Sequence, residues 1–60
     1  GIGFLEKLAR SPSALSVRYG AYQLLGWFDD QPGIKELLEE IRDGERDPRL
    51  LELYSGLEAQ

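Results

Sequence analysis

The fold depends most on residues 17–26, which read VRYGAYQLLG. The wider segment around them, residues 13–28, is mostly apolar and carries Arg18 as its only charge. Its β-branched and aromatic side chains would suit a strand, but apolar and polar residues do not alternate, and the segment is long for a strand without a turn. We therefore expect a helix. Its apolar arc is too wide for a lone surface helix, so it should be the central, most buried element.

Three further helices are predicted, at residues 2–10, 33–43 and 48–57, because each segment repeats apolar residues at helical spacing. The middle one is the clearest amphipathic helix, with polar residues on its outer face. The apolar positions are Ile2, Phe4, Leu5 and Leu8, then Ile34, Leu37, Leu38 and Ile41, then Leu50, Leu53, Tyr54 and Leu57. Leu25 and Leu38 lie at the centres of their apolar stripes and are expected to be core residues.

Two of these helices have a start signal in the sequence. Ser11-Pro12 and Asp47-Pro48 each place a capping residue before a proline at the first helical position, where the missing N–H of proline costs nothing. Gly44 is predicted to end the third helix.

Residues 29–33 read DDQPG and predict a turn, in which Asp30 would cap the helix that follows. The connections between the four helices are short, which implies antiparallel neighbours. We therefore expect an all-α fold with four short antiparallel helices, either a small helical bundle or a fragment of an α-solenoid. Residues 1–60 would form one small helical domain, as a whole protein or as a piece of a larger repeat protein.

The composition argues against catalysis and cofactor binding. The chain contains no Cys and no His, so it lacks thiolate and imidazole groups that act as metal ligands, nucleophiles or bases. No glycine-rich phosphate loop is present. The acidic groups, Asp29-Asp30 and the set Asp43, Glu45 and Asp47, lack the spacing of a calcium loop and are typical of caps and solvated faces. We expect no enzyme activity, no cofactor and no metal.

The charge distribution bears on the choice of partner. The formal net charge is −4, and the acidic residues are concentrated in residues 29–60. Binding to nucleic acid depends on Lys and Arg that neutralise phosphates, so we expect no nucleic-acid partner. No window approaches the ~18–20 apolar residues of a membrane span, and no signal peptide is recognisable. The sequence therefore predicts no membrane partner and a cytoplasmic location.

The chain shows internal repetition, because laying residues 17–18 over residues 48–49 gives an offset of about 31 residues, short for ordinary helical-pair repeats. A set of apolar and charged positions accompanies this offset: Val17-Arg18, Ala21, Leu24, Leu25-Gly26, Ile34, Leu37, Leu38, Ile41, Asp43 and Asp47-Pro48-Arg49. With these positions, residues 13–57 resemble the HEAT-like repeats of the phycobilisome-lyase class. Residues 2–10 would then be the second helix of a preceding repeat.

The resemblance implies a non-catalytic protein–protein interaction or assembly module. In such repeats the second helix of each pair lines the concave binding side, which makes Lys35, Glu39 and Arg42 candidate partner-binding residues, although Glu39 and Arg42 could also pair with each other. Arg18 would act as a structural bridge. The alternative function is an accessory or regulatory subunit of an enzyme system, similar to a lyase chaperone and active only with another chain.

Trp27 and Phe28 have two interpretations. Trp, Tyr and Arg dominate the energetics of protein interfaces, so they could form an interaction hot spot, or they could close the core at the end of the helix. Apolar residues of the outer helices, Phe4, Leu50 and Tyr54, are expected to leave surface that the chain cannot cover. We expect that surface to be buried against a protein partner or a second copy, and a two-fold homodimer is the commonest closed arrangement.

Overall fold

The structure is a computed structural model that describes residues 1–10 and 12–58. The four helices are α1 (Ile2–Leu8), α2 (Leu15–Gly26), α3 (Ile34–Gly44) and α4 (Pro48–Glu58). The described residues include no strand, so the prediction of an all-α fold with four helices is confirmed. The first two helices are shorter than the predicted segments at residues 2–10 and 13–28. No helix in the described part of the chain is long and apolar enough to cross a bilayer.

Helix α2 is the central element, as predicted, because it packs against α1, α3 and α4. The core cluster consists of Ala9, Ala21, Tyr22, Leu25, Ile41, Leu50 and Tyr54. Only three of these side chains come from α2, which therefore buries one face and not its whole circumference. Val17 and Leu24, beside that face, remain exposed. The other helices thus cover only part of the apolar surface of α2, as the width of its apolar arc predicts.

Helix α4 closes the core. Leu50 and Tyr54 were expected to leave uncovered apolar surface, but both are fully buried, so that expectation is wrong. The Tyr54 ring stacks on Tyr22 of α2, with ring centroids 3.7 Å apart and an angle of 19° between the planes. This aromatic pair fixes α4 against α2. Leu53, which was predicted on the same apolar face, is turned outward and exposed.

The predicted start of α4 is confirmed. Asp47 Oδ1 accepts a hydrogen bond of 2.9 Å from the backbone N–H of Arg49, and Pro48 is the first helical residue. The Arg49 side chain also donates to Asp47, and these hydrogen bonds lower the pKa of the Asp47 carboxyl to about 2. Gly44 is the last residue of α3, as predicted, and the chain continues extended at Glu45.

The other two helix starts differ from the prediction. Ser11 lies outside the described residues, and Pro12 lies in a turn before α2, which begins only at Leu15. The turn at residues 29–33 is present, but Asp30 does not cap α3. Gly33 occupies the capping position with a φ of 84°, a left-handed conformation that glycine adopts without steric cost. Because the chain reverses at Gly33, the Asp30 side chain is too early to reach the first turn.

Replacement of Leu25 by alanine should lower the free energy of unfolding by about 2–5 kcal/mol, because the Leu25 side chain is fully buried. Leu38 was also predicted in the core, but it is only half-buried and packs on the edge of the core cluster. Leu38→Ala should therefore lower the free energy of unfolding clearly less than Leu25→Ala. Urea unfolding of both variants measures the difference, and equal losses would contradict this description of the core.

Candidate functional site

Four of the five residues predicted to bind a partner line one groove. Trp27, Lys35, Glu39 and Arg42 surround a groove of about 650 Å³ between the ends of α2 and α4 and one side of α3. We call it the Trp27 groove. The apolar side chains of Tyr22, Leu38 and Leu57 also line it. Phe28, the fifth predicted residue, is not part of the lining.

The helical spacing of α3 explains this grouping. Lys35, Glu39 and Arg42 are separated by four and three residues, so they lie along one side of the helix. Trp27 directly follows α2 and keeps a helical backbone conformation, which holds its indole at the end of that helix. The groove therefore combines an aromatic wall with charged groups from a neighbouring helix.

Arg42 is already engaged within the molecule. Its guanidinium contacts the Glu58 carboxylate, not Glu39, and so joins α3 to the end of α4. The Tyr22 hydroxyl donates to the same Glu58 oxygen at 3.5 Å. Burial raises the pKa of Tyr22, and the nearby charge of Arg42 opposes this shift. Within the described residues Lys35 forms no ion pair, so it is the cation of the groove with most freedom to meet another molecule.

Trp27 and Phe28 do not close the core, so that interpretation is wrong. Trp27 is 71% exposed, and Phe28 is also exposed. With Val17, Gly20 and Leu24 they follow helical spacing along the side of α2 that borders the core cluster, and Trp27 and Phe28 continue it past the end of the helix. We call these five residues the α2 apolar face. Sequence reasoning named Trp27 and Phe28 but not Val17 and Leu24, which are also exposed, whereas Gly20 is half-buried.

Arg18 is turned inward, towards the connection between α3 and α4. Its Nε lies 3.4 Å from Glu45 Oε1, and the two side chains are only 12% and 6% exposed. The other carboxylate oxygen of Glu45 accepts hydrogen bonds from the backbone N–H groups of Arg46 and Asp47, at 3.1 and 3.0 Å. Arg18 thus bridges α2 to a neighbouring segment, which is the structural role predicted for it.

A second polar group lies beside this ion pair. The Tyr54 hydroxyl is buried and finds no hydrogen-bond partner among the described residues, and neither does Arg18 Nε, whose contact with Glu45 lacks hydrogen-bond geometry. Burial raises the pKa of Tyr54, and the negative charge of Glu45 raises it further. Since both Glu45 oxygens are engaged, this cluster offers no free base. Among the described residues, no three acidic side chains come together as a metal site.

Tyr54→Phe should raise the free energy of unfolding by about 1–3 kcal/mol at neutral pH, because it removes a buried hydroxyl without a partner and keeps the ring. The raised pKa also predicts that stability is lost as the pH rises above 10.0, where Tyr54 ionises in the unfolded chain but stays protonated in the folded one. Tyr54→Phe should reduce that alkaline loss. Denaturant melts from pH 7 to 11 measure both effects, with Tyr22→Phe as the comparison. A Tyr54→Phe variant that is less stable than the parent would contradict the assignment.

Comparison with known proteins finds no relative of this chain. No protein-family model matches the chain, and neither a curated protein nor a solved structure matches it.

Proposed function

We propose that the chain is a non-catalytic protein–protein interaction or assembly module, built on helices of the HEAT-like kind. The observation that carries this proposal is the exposure of the α2 apolar face on a fold whose core is complete without it. Leu25, Leu50 and Tyr54 are fully buried, while Trp27, the largest apolar side chain of the protein, is 71% exposed.

Such exposure is unusual for a small monomer. Single apolar residues on a surface are ordinary, but a run of them along one helix is typical of an interaction site. Here Val17 and Leu24 on α2 and Trp27 and Phe28 directly after it are four exposed apolar side chains in one short segment. Buried Trp residues contribute more binding energy than most residue types, because they bring a large area with little loss of conformational freedom.

The Trp27 groove supplies the polar border that interfaces need. Lys35 and Glu39 lie beside Trp27 and remain exposed. Charges at the rim of an interface affect the rate of association and the choice of partner more than the affinity. A protein partner, a location in the cytoplasm, and no role for nucleic acid or membrane are parts of the same proposal. The net charge of −4 supports the part that concerns nucleic acid.

The alternative, an accessory subunit of an enzyme system, would use the same surface and differs only in the identity of the partner. Molar mass in solution, together with recovery of proteins from a cell lysate on the immobilised chain, separates the two. Self-assembly alone favours an assembly module. A stoichiometric enzyme partner favours the accessory role.

Trp27→Ser should lower the affinity for the recovered partner, or for a second copy, by at least about tenfold, which is the size of effect expected of an aromatic anchor. Phe4→Ser is the matched control, because Phe4 is 64% exposed but belongs to α1. The control should change the affinity less than about threefold. A chain that binds neither a protein nor itself, or a Trp27→Ser variant that binds as well as the parent, would overturn the proposal.

Lys35→Glu should slow association with the same protein while the helical circular dichroism stays unchanged, since Lys35 is exposed and forms no ion pair within the described residues. Lys7→Glu changes the net charge by the same amount at an exposed position of α1. Association rates at two salt concentrations distinguish a local contact from an effect of total charge. Equal changes in the two variants would place the charged contact outside the Trp27 groove.

A further inference from the structure

A pocket of about 550 Å³ lies near the start of α2, whereas Trp27 follows the end of that helix. The pocket is bounded by the end of α1, the end of α3 and the connection between α3 and α4. Its charged lining residues are Arg10, Arg18, Glu45, Arg46 and Asp47. Three of the seven Lys and Arg residues of an acidic chain thus meet in one place. We call it the arginine pocket.

The two carboxylates of the arginine pocket already have partners. Glu45 lies against Arg18 and accepts hydrogen bonds from two backbone N–H groups. Asp47 accepts hydrogen bonds from the backbone N–H and the side chain of Arg49, which is not part of the lining. Neither carboxylate is therefore a free acceptor for the other arginines.

The three guanidinium groups, in contrast, keep their donors. Among the described residues, no hydrogen bond is donated by the side chains of Arg10, Arg18 or Arg46. Arg46 is exposed and forms no ion pair within the same residues. Arg10 contacts Glu6 only at 3.6 Å, in a solvent-exposed pair of the kind that contributes little. Because an arginine side chain carries donors and no acceptor, the pocket is rich in donors that an anion can use.

Arg18 is the arginine that gains most from an added acceptor. Its side chain is only 12% exposed, and its Nε is buried with no hydrogen-bond partner among the described residues. A charged donor that leaves water without such a partner loses free energy. Glu45 supplies a negative charge 3.4 Å away and holds the guanidinium in place. Little side-chain freedom is then lost when an anion binds to the remaining nitrogens of Arg18.

The charge of the arginine pocket fits a single carboxylate. Its lining has one more cation than anion, and this excess stays the same when the outside partners Glu6 and Arg49 are counted. One carboxylate neutralises the excess, whereas a dianion such as a phosphate ester would leave a net negative charge within an acidic chain. Guanidinium groups bind carboxylates through two parallel N–H···O hydrogen bonds. The side chains of Ala9 and Ile41 add an apolar part that suits an alkyl chain.

We propose that the arginine pocket binds a carboxylate carried on a short aliphatic chain. This chemistry is shared by a small aliphatic acid and by the side chain of a glutamate on another protein. The site is separate from the Trp27 groove, so the inference goes beyond the proposed interaction function and does not depend on it.

Titration with sodium butyrate, against sodium chloride at equal ionic strength, tests the proposal by NMR. Butyrate should shift the backbone amide signals of residues 44–47 and the side-chain N–H signals of Arg10 and Arg46, and should leave those of Trp27 unchanged. Arg46→Gln should raise the dissociation constant for butyrate at least about fivefold, because it removes an unpaired guanidinium from the lining. Lys7→Gln is the matched control, since it removes the same charge at an exposed position of α1 outside the pocket. The control should change the constant less than about twofold, as expected of a screened charge.

A peptide with a single glutamate, compared with its glutamine counterpart, distinguishes the two sources of the carboxylate. Tighter binding of the glutamate peptide than of butyrate assigns the site to a protein side chain, and tighter binding of butyrate assigns it to a free acid. The proposal is overturned if butyrate acts no differently from chloride, or if Arg46→Gln and Lys7→Gln weaken binding equally. Tighter binding of sulfate than of butyrate would also overturn it, because the charge argument excludes a dianion.

Discussion

The packing of α2 against the other three helices is the contact on which the rest of the structure depends. α2 is the only helix that meets all of the others with several residues. It contributes Leu25 and Tyr22 to the core, and Tyr22 stacks on Tyr54 to hold α4. A chain of 60 residues buries a smaller share of its surface than a larger domain. Here one helix, α2, packs against each of the other three.

The ion pair between Arg18 and Glu45 has two consequences. It holds the connection between α3 and α4 against α2. Glu45 in turn accepts hydrogen bonds from two backbone N–H groups of that connection. Burial of two charges carries a desolvation penalty, and an uncharged pair of similar volume would often be at least as stable. With its only charge turned inward, α2 presents no charged side chain to solvent, and its exposed residues are apolar or uncharged polar groups such as Gln23.

Periodicity in the sequence was enough to predict four helices, because apolar residues at i, i+3, i+4 and i+7 report directly on helical faces. Periodicity could not predict which neighbouring helix covers each apolar face. Leu50 and Tyr54 were expected at the surface and are buried, and Trp27, which the sequence allowed either in the core or at an interface, is exposed. The burial of Tyr54 depends on tertiary packing, as its stack on Tyr22 of α2 shows, and the periodicity of one helix does not report on that packing. The grouping of Lys35, Glu39 and Arg42 was predictable, since it depends on one helix alone.

The distribution of aromatic residues bears on the function more than any single contact. Phe loses less than Tyr on leaving water, because Tyr must also desolvate a hydroxyl. Yet Tyr22 and Tyr54 are buried, the latter without a hydrogen-bond partner among the described residues, while Trp27 and both phenylalanines are exposed. Stability of the single chain would favour the reverse arrangement. The exposed aromatic side chains therefore add little to the stability of the single chain, and Trp27 and Phe28 are the ones that the proposed interaction would bury.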